Sequence, residues 1–434
     1  MKIAILSREP RSYTTEKLRK TARDRGHRVR ILDPTLFSVF LDESGPRIFY
    51  GEEPAPEMDA VIPRIGASIT HYGTTVVRQF EQMGTLVLNT SNAILDSRDK
   101  FRSLQILSRH KIGIPATTLV RGRGDTVHAI ERVGGAPVII KVLEGAQGVG
   151  VILAETEAMA KAVLETLTAR QAVLVQSFVR ESRGRDVRAL VVNGKLIAAM
   201  RRVASEREFR SNLHRGGRAE AIELPPAYQK TAVAAAQVLG LRVAGVDMLE
   251  SDEGPKVIEV NSSPGLEGIE SATGIDCAAA IIAACEYEAP FPQFDLRQRL
   301  TATHGFAVVE MRITRTSGMV GKELGATEFR ANNVVVLQLT RAGGEVETNP
   351  PADRKLRPGD RLLCYGPTGT LRELLPVRWR RLIPKEKRPG QDNGGDGLSP
   401  APAEVDELSP APADAVDVEP MSTREVLGAV RETV

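Results

Sequence analysis

Aromatic side chains are scarce: they make up 4% of the 434 residues, with a single tryptophan. That argues against a surface on which nucleic-acid bases stack, and direct DNA binding is not expected. Cysteines number three, Cys277, Cys285 and Cys364, with no CxxC spacing. They suit a reducing cytoplasm and read as small core residues. No run of about 18 apolar residues occurs, so no membrane span is expected. The opening MKIAILSREP has a short apolar run that stops at Arg8 and Glu9. It reads as a first strand, not a signal peptide. Six histidines are scattered without metal spacing, and neither a GxSxG motif nor a Cys/His nucleophile pattern is present. Covalent hydrolase chemistry therefore has little support.

Charge of one sign is also lacking overall, with 58 basic against 55 acidic residues. The balance hides an asymmetry. Residues 391–434 hold 10 acidic and 2 basic side chains, a net −8, so the other 390 residues carry +11 of the total +3. A basic body attracts acidic polymers, whether nucleic acid or a Glu-rich peptide.

The chain is too long for one core at roughly 100–200 residues per domain. Residues 1–90 alternate strands and helices: KIAIL, TEKLRKTARDRG, HRVRIL, MDAVIPRI and TLVLN. This predicts a small α/β layer with a parallel sheet. SRDKFRSLQILSRHKI reads as an amphipathic helix opening near Ser97 and Asp99. Strands PVIIKV, VILA, AVLVQSFV and VRALVVNGKLIAAM follow, the last with a hairpin signal at Asn193-Gly194. After an alanine-rich helix come VAGVDMLE and PKVIEVN, joined by the turn SDEG, and then one helix, ATGIDCAAAIIAACEYEA. Residues 290–302 read as a linker and 303–378 as a compact β-rich segment. Residues 385–434, where LSPAPA occurs twice, read as a disordered acidic Pro/Ala-rich tail.

Three groups of residues carry chemistry. A turn centred near Glu253 puts Asp247 opposite Glu259, and Asn261 shares the face of Glu259. Three oxygen donors on one face fit Mg²⁺ or, equally, the polar outer face of an ordinary hairpin. Lys141 ends the apolar strand VIIK and is followed by Gly145, Gly148 and Gly150. A phosphate would partner such a lysine, and a plain glycine loop explains the spacing as well. Arg188, Arg202, Arg210 and Arg215 form either a phosphate and carboxylate clamp or a solvated loop, with His214 among them.

The segments VIPRIGASIT, SRDKFRSLQ, GGAPVIIKVLEGAQGVGV, FRSNLHRGG, VAGVDML and VIEVNSSPGLEGIE, in this order, resemble the RimK family of ribosomal protein S-six glutamate ligases. The likeness runs from residue 1 to about 289. It implies an N-terminal α/β pre-ATP-grasp domain (1–95) and an α+β ATP-grasp domain of two subdomains (96–289). By this resemblance Lys100 and Lys141 hold ATP phosphates. Gln176, Ser177, Phe178 and Val179 contact adenine, Asp186 lies near the ribose, and Arg210, Ser211 and Asn212 bind nucleotide. Asp247, Glu259 and Asn261 are the Mg²⁺ or Mn²⁺ ligands. Ser177 departs from the family's acidic residue. GKELGATEFRANNVVVLQLTRAGG and LRPGDRLLCYG resemble the TrkA-C (RCK-C) domain, which implies a regulatory or dimerising module.

The implied activity is ATP-dependent addition of L-glutamate to the C-terminus of a protein acceptor, ribosomal protein S-six, through an acyl phosphate, in a cytoplasmic homo-oligomer. Arg188 and Arg202 are then candidates for the acceptor carboxylate and the acyl phosphate, and Lys141 for the transferring group. Two alternatives stand beside it: a ligase with a small-molecule or cofactor acceptor, and an inactive ligand-sensing protein.

Overall fold

The computed structural model describes residues 1–143, 150–169, 171–204, 217–289 and 306–374. The chain forms two compact units, Met1–His304 and Gly305–Val434.

The first unit begins with strands β1 (Lys2–Leu6) and β2 (Arg28–Leu32) around helix α1 (Tyr13–Asp24). Next come β3 (Phe37–Asp42), β4 (Gly45–Tyr50), β5 (Glu53–Pro54), β6 (Ala60–Pro63), α2 (Thr70–Gln82) and β7 (Leu86–Val87). The expected parallel sheet is present, in the order β2-β1-β6-β7. β1 is apolar after Lys2 because both of its faces are covered. Ile3 and Ile5 pack with Leu18 of α1, while Ala4 and Leu6 pack with Val76, Val77 and Phe80 of α2. The sequence reading missed the antiparallel sheet β3-β4-β5. Its strands are short, carry Gly45, Pro46 and Pro54, and bury little, so the period-2 signal is weak.

Helices α3 (Ser91–Arg98) and α4 (Lys100–Arg109) meet at Asp99. The Asp99 carboxylate caps α4 by accepting from the Phe101 and Arg102 amides at 3.0 and 2.9 Å, which satisfies two of its unpaired N–H groups. This sets Lys100 at the first position of the helix.

Strands β8 (Thr117–Val120), β9 (Val138–Val142), β10 (Val151–Ala154) and β11 (Val173–Ser177) form an antiparallel sheet in the order β10-β9-β11-β8. Helices α5 (Thr126–Arg132) and α6 (Glu157–Thr168) cover one face through Val138, Ile140, Val173 and Val175. Alternation leaves Ile139, Lys141, Leu174 and Gln176 on the other face.

The largest sheet has the order β14-β13-β12-β15-β16. Its strands are β12 (Arg185–Val192), β13 (Lys195–Val203), β14 (Arg218–Ala221), β15 (Val243–Leu249) and β16 (Lys256–Asn261). The β12–β13 turn is Asn193-Gly194, with φ of 47° and 72°, the left-handed pair that a two-residue hairpin requires. One face packs on helix α7 (Pro226–Val238) through Val187, Ala189, Val246 and Met248. The opposite face changes character along its length. Leu190, Val192, Ala198 and Met200 are core; beyond them the same face carries Asp186, Arg188, Arg202, Asp247 and Glu259.

The helix expected at the end of this unit is two helices, α8 (Glu267–Thr273) and α9 (Cys277–Glu288), bent by 113°. Gly274 ends α8 with φ 69°. The Asp276 carboxylate then caps α9 by accepting from the Ala279 amide, so the apolar run restarts in a new direction. Among the described residues no single helix is long and apolar enough to cross a membrane. Cys277 and Cys285 are core residues of α9, as expected.

The second unit is an antiparallel sheet of β17 (Phe306–Arg312), β18 (Val335–Thr340), β19 (Val346–Thr348) and β20 (Arg361–Pro367), ordered β17-β20-β18-β19. Helix α10 (Thr368–Leu374) follows. Met311, Ile313, Leu339, Leu362, Cys364 and Leu371 form its core. Asp360, 1% exposed, accepts from Arg341 Nη1 and the Arg357 amide at 2.6 and 2.8 Å. That bond closes the RPGD turn.

Candidate active site

Antiparallel pairing places Asp247 opposite Glu259 and Gly245 opposite Asn261, in the register the hairpin centre predicts. A bulge follows at once: Met248 pairs with Val257, leaving Ile258 as the extra residue of β16. Such bulges re-aim side chains beside functional sites. Asp247 also stands opposite Arg188 on its other side, and Arg202 opposite Asp186. The guanidinium of Arg188 grips Asp247 in a fork at 2.7 and 2.6 Å. Arg202 grips Asp186 in a second fork, both bonds 2.6 Å, and reaches Asp247 at 3.0 Å.

Arg202, Asp186 and Asp247 are 4, 5 and 3% exposed, so this network lies in a low-dielectric interior where isolated charges are costly. Burial alone would raise the Asp247 carboxyl; Arg188 and Arg202 override it and hold the pKa below the usual range. Burial likewise opposes the charge of Arg202, yet Asp247 and Asp186 drive its pKa upward. Among the described residues Glu259 forms no such ion pair. Glu259 is an exposed residue, yet protein packs around its carboxyl closely enough to disfavour the charge. That surrounding and the charge of Asp247 raise its pKa, against the pull of Arg188, Lys141 and Lys100.

The opposite wall is cationic. Lys141 sits on the face of β9 turned away from α5 and α6, and among the described residues no carboxylate makes an ion pair with it. Burial pushes its pKa down to about 8; Glu259 opposes that shift, Lys100 adds to it, and Asp247 opposes it. Lys100 Nζ donates to the Val142 carbonyl at 3.1 Å. Its pKa is also lowered by burial, with Glu259 pulling the other way. Two lysines and the Asp247–Glu259 pair therefore share one electrostatic neighbourhood, although 159 positions separate Lys100 from Glu259.

Gln176 lies on the same face as Lys141 and donates through Nε2 to Thr117 Oγ1 at 2.8 Å. Ser177, Phe178 and Val179 follow at the strand's end, half-buried; the Ser177 amide donates to the Ala116 carbonyl. Asp186, expected near a ribose, is committed to Arg202. Gly145, Gly148, Arg210, Ser211, Asn212, His214 and Arg215 lie outside the described residues. Gly150 is described, with φ 78°.

Sequence reasoning missed two arginines. Arg64 follows β6, and its Nη1 donates to the Pro264 carbonyl at 2.7 Å. Arg98 ends α3 and donates through Nη2 to the Ile65 carbonyl. Burial lowers both pKa values, Arg64 to about 10, with Arg98 adding to that fall and Glu9 opposing it. Both sit inside the motifs VIPRIG and SRDK, but an arginine beside an apolar strand has no spacing signal of its own.

An antiparallel sheet bearing a lysine, set against a larger sheet bearing paired carboxylates, is the architecture of an ATP-grasp ligase. Family comparison agrees. Residues 97–285 match the RimK-like ATP-grasp domain, residues 1–94 the RimK PreATP-grasp domain, and residues 308–377 the TrkA-C domain. A protein of Rhodopirellula baltica described as a probable alpha-L-glutamate ligase is 53% identical over 390 residues, 90% of this chain and 95% of that one. A second, from Aeromonas salmonicida, is 54% identical over 290 residues, covering 67% of this chain and 97% of its own. The ATP-grasp ligase PsnB, solved with a minimal precursor, Mg and ADP, superposes with a TM-score of 0.54 at 22% identity, over 67% of this chain and 98% of that one; at that identity it speaks to the fold. The chain belongs to the RimK-type ATP-grasp ligases, and it carries a TrkA-C domain after the ligase body.

Proposed function

We propose that this protein joins the amine of L-glutamate to the C-terminal carboxylate of an acceptor protein, with ribosomal protein S-six as the expected acceptor, at the expense of ATP. The observation that carries this reading is the meeting of opposite charges between the two sheets. Lys100 and Lys141 face the Asp247–Glu259 pair, which suits a triphosphate on one wall and its counter-ion on the other.

The donor set fits a hard divalent ion. Asp247, Glu259 and Asn261 offer only oxygen, the ligand type Mg²⁺ and Mn²⁺ prefer. Among the described residues no three His, Cys, Asp or Glu side chains gather as a metal site, so the amide of Asn261 is needed as a third donor. Those three residues would hold the ion, and when bound it neutralises phosphate charge.

A carboxylate does not form an amide unaided, because its oxygen is a poor leaving group. In the proposed reaction an oxygen of the acceptor carboxylate attacks the γ-phosphorus of ATP, and ADP leaves. The amine of glutamate then attacks the acyl carbon, losing a proton as inorganic phosphate departs. The protein's work is positioning and charge stabilisation. Lys141, which forms no ion pair among the described residues, holds the transferring phosphoryl group. Lys100 braces the end of β9 at the Val142 carbonyl and adds positive charge beside it. Arg188, one-fifth exposed, faces the cleft and steadies the acyl phosphate. Arg202 is buried behind it, so its part is to fix Asp247 and Asp186 in place, not to touch the acceptor. Gln176, Ser177, Phe178 and Val179 border the expected adenine position. The reading also takes the enzyme to be cytoplasmic and oligomeric.

Intact-mass measurement of the acceptor after incubation with enzyme, ATP, Mg²⁺ and L-glutamate tests this. Increments of one glutamyl residue, lost in Glu259→Ala, are expected. Unchanged acceptor mass, with ATP consumed on a small-molecule carboxylate instead, would overturn the protein acceptor.

A further inference from the structure

We propose that Arg64 and Arg98, with the hydroxyls of Ser262 and Ser263, form the subsite for a non-reacting carboxylate of the incoming amino acid. The assignment rests on the ligase reading above and adds a place for its amine substrate.

The argument starts from groups left without partners. Arg98 Nε is buried and has no hydrogen-bond acceptor, and the same holds for the hydroxyls of Ser262 and Ser263. Ser262 is 3% exposed. Buried polar atoms are nearly always satisfied, and an orphan costs as much as a lost hydrogen bond. Ser262 and Ser263 adjoin Pro264, whose carbonyl holds Arg64, and Arg98 lies near enough to act on the charge of Arg64, so these orphans gather around one arginine pair and point to a group that would satisfy them.

Charge says what it is. Among the described residues neither Arg64 nor Arg98 forms an ion pair with a carboxylate. Both spend one nitrogen on a backbone carbonyl, at Pro264 and Ile65. Those bonds fix the guanidinium groups without neutralising them. The two cations lie near enough to disfavour each other's charge. An anion between them removes that penalty, and a planar carboxylate matches the arginine fork.

Position says which anion. Ser262 and Ser263 directly follow the proposed metal ligand Asn261. The loop is pressed onto β15, where a side chain at Gly245 would come within 2.9 Å of Pro264 Cβ. Asn89 holds its other edge, donating to the carbonyls of Ser262 and Val243 at 2.8 Å each. The acceptor's carboxylate must reach the γ-phosphate, beside Lys141. Free glutamate instead brings its amine to the reaction and two carboxylates that do not react. These arrive beside Asp247 and Glu259, where an unneutralised dianion would be repelled, and Arg98 already feels Glu259.

Steady-state kinetics of the full-length enzyme test the assignment. Arg98→Gln should raise KM for L-glutamate roughly ten- to hundredfold, and Ser263→Ala several-fold, with KM for ATP and for an acceptor peptide unchanged. A rise in acceptor KM with glutamate KM constant would overturn it and give the site to the acceptor terminus. Stabilisation by AMPPNP and Mg²⁺ checks that each variant is folded. If Arg98→Gln fails that check, Ser263→Ala decides, and an unmoved glutamate KM sinks the proposal. Wild-type enzyme that makes no glutamyl product at all fails the ligase reading, and this assignment falls with it. Product formation with unaltered glutamate KM in the variants fails this assignment alone.

Discussion

The two walls of the cleft hold their charges in opposite ways. On the five-stranded sheet, Asp186, Arg202, Asp247 and Arg188 interlock through two forks and a bridging bond. Burial and partnership are matched there, so the wall is assembled before any substrate arrives. On the four-stranded sheet, Lys141 stands with Ile139, Leu174 and Gln176 on a face with no carboxylate. Burial lowers its pKa to about 8, against the pull of Glu259 and Asp247. One wall is thus paired within itself, and on the other Lys141 has no ion-pair partner among the described residues. Stability and activity should respond differently when each is broken.

The largest effect is expected on the assembled wall. Asp247→Ala leaves Arg188 without its carboxylate and Arg202 with half of its pairing. Breaking a buried charge network from one side costs about 3–5 kcal/mol. Urea unfolding should show that loss, and ligase turnover should fall below detection. A variant as stable as the wild type would mean the network is not buried as described.

Lys141→Met should separate the two properties. Turnover should drop roughly 100-fold or more, as when a charge-stabilising donor is removed, while stability should hold or rise. The pH dependence has a definite sign. Lys141 titrates at about 8 in the folded enzyme and near 10.4, about the ordinary lysine value, when unfolded. Below pH 8 both states are charged, and folding bears the full cost of burying that charge. Between these values the folded protein releases a proton the unfolded chain keeps, so the wild type gains stability relative to Lys141→Met as pH rises. Denaturation of both proteins across pH 7–10 measures this. In the free enzyme, kcat/KM should decline above about pH 8. Parallel stability curves would show that Lys141 is not desolvated.

These walls were unequally legible in the sequence. The Asp247–Glu259 pairing agrees with a turn centred near Glu253, but the structure reaches it through the bulge: Met248 pairs with Val257, and the extra residue Ile258, between turn and pair, brings Glu259 opposite Asp247. Lys141 is marked by ending an apolar run. The forks at Arg188 and Arg202 are not legible in that way: which arginine meets which carboxylate depends on the order of β13, β12 and β15, a long-range fact. Asp186 is an example, since its likeness to a ribose contact says nothing of its bond to Arg202. Arg64 and Arg98 went unassigned because the Pro264 carbonyl and the Ile65 carbonyl that hold them are set by tertiary packing. The break at Gly274 and Asp276 was written in plain capping residues, and a continuous alanine-rich run obscured it.

Gly245→Ala sharpens the contrast from the loop that joins the acidic wall to the arginines. Its new methyl would press on Pro264 Cβ at 2.9 Å, and overpacking of this kind costs about 1–3 kcal/mol. Displacing that loop should raise the KM for glutamate while leaving the KM for ATP, set largely by the lysine wall, nearly constant. A change in ATP affinity of equal size would show the two walls to be mechanically joined.

The smallest effect on chemistry is expected from removing the second unit. The Aeromonas salmonicida relative matches over 290 residues that make up 97% of its length, so a ligase body of this kind exists without the appended sheet. A chain ending at residue 300 should therefore keep its kcat within about twofold, because no catalytic or substrate-binding group proposed above lies beyond Ser263. What should change is assembly or effector response. The second unit exposes Val308, Val335 and Val346 on its strands, apolar area that a subunit contact would bury. Sedimentation of both chains, with kinetics at matched concentrations, measures the difference. If the shortened enzyme keeps the same oligomeric state and the same kinetics, the TrkA-C domain neither joins subunits nor regulates them. If its kcat collapses, the division between a self-sufficient ligase body and a regulatory appendage is wrong.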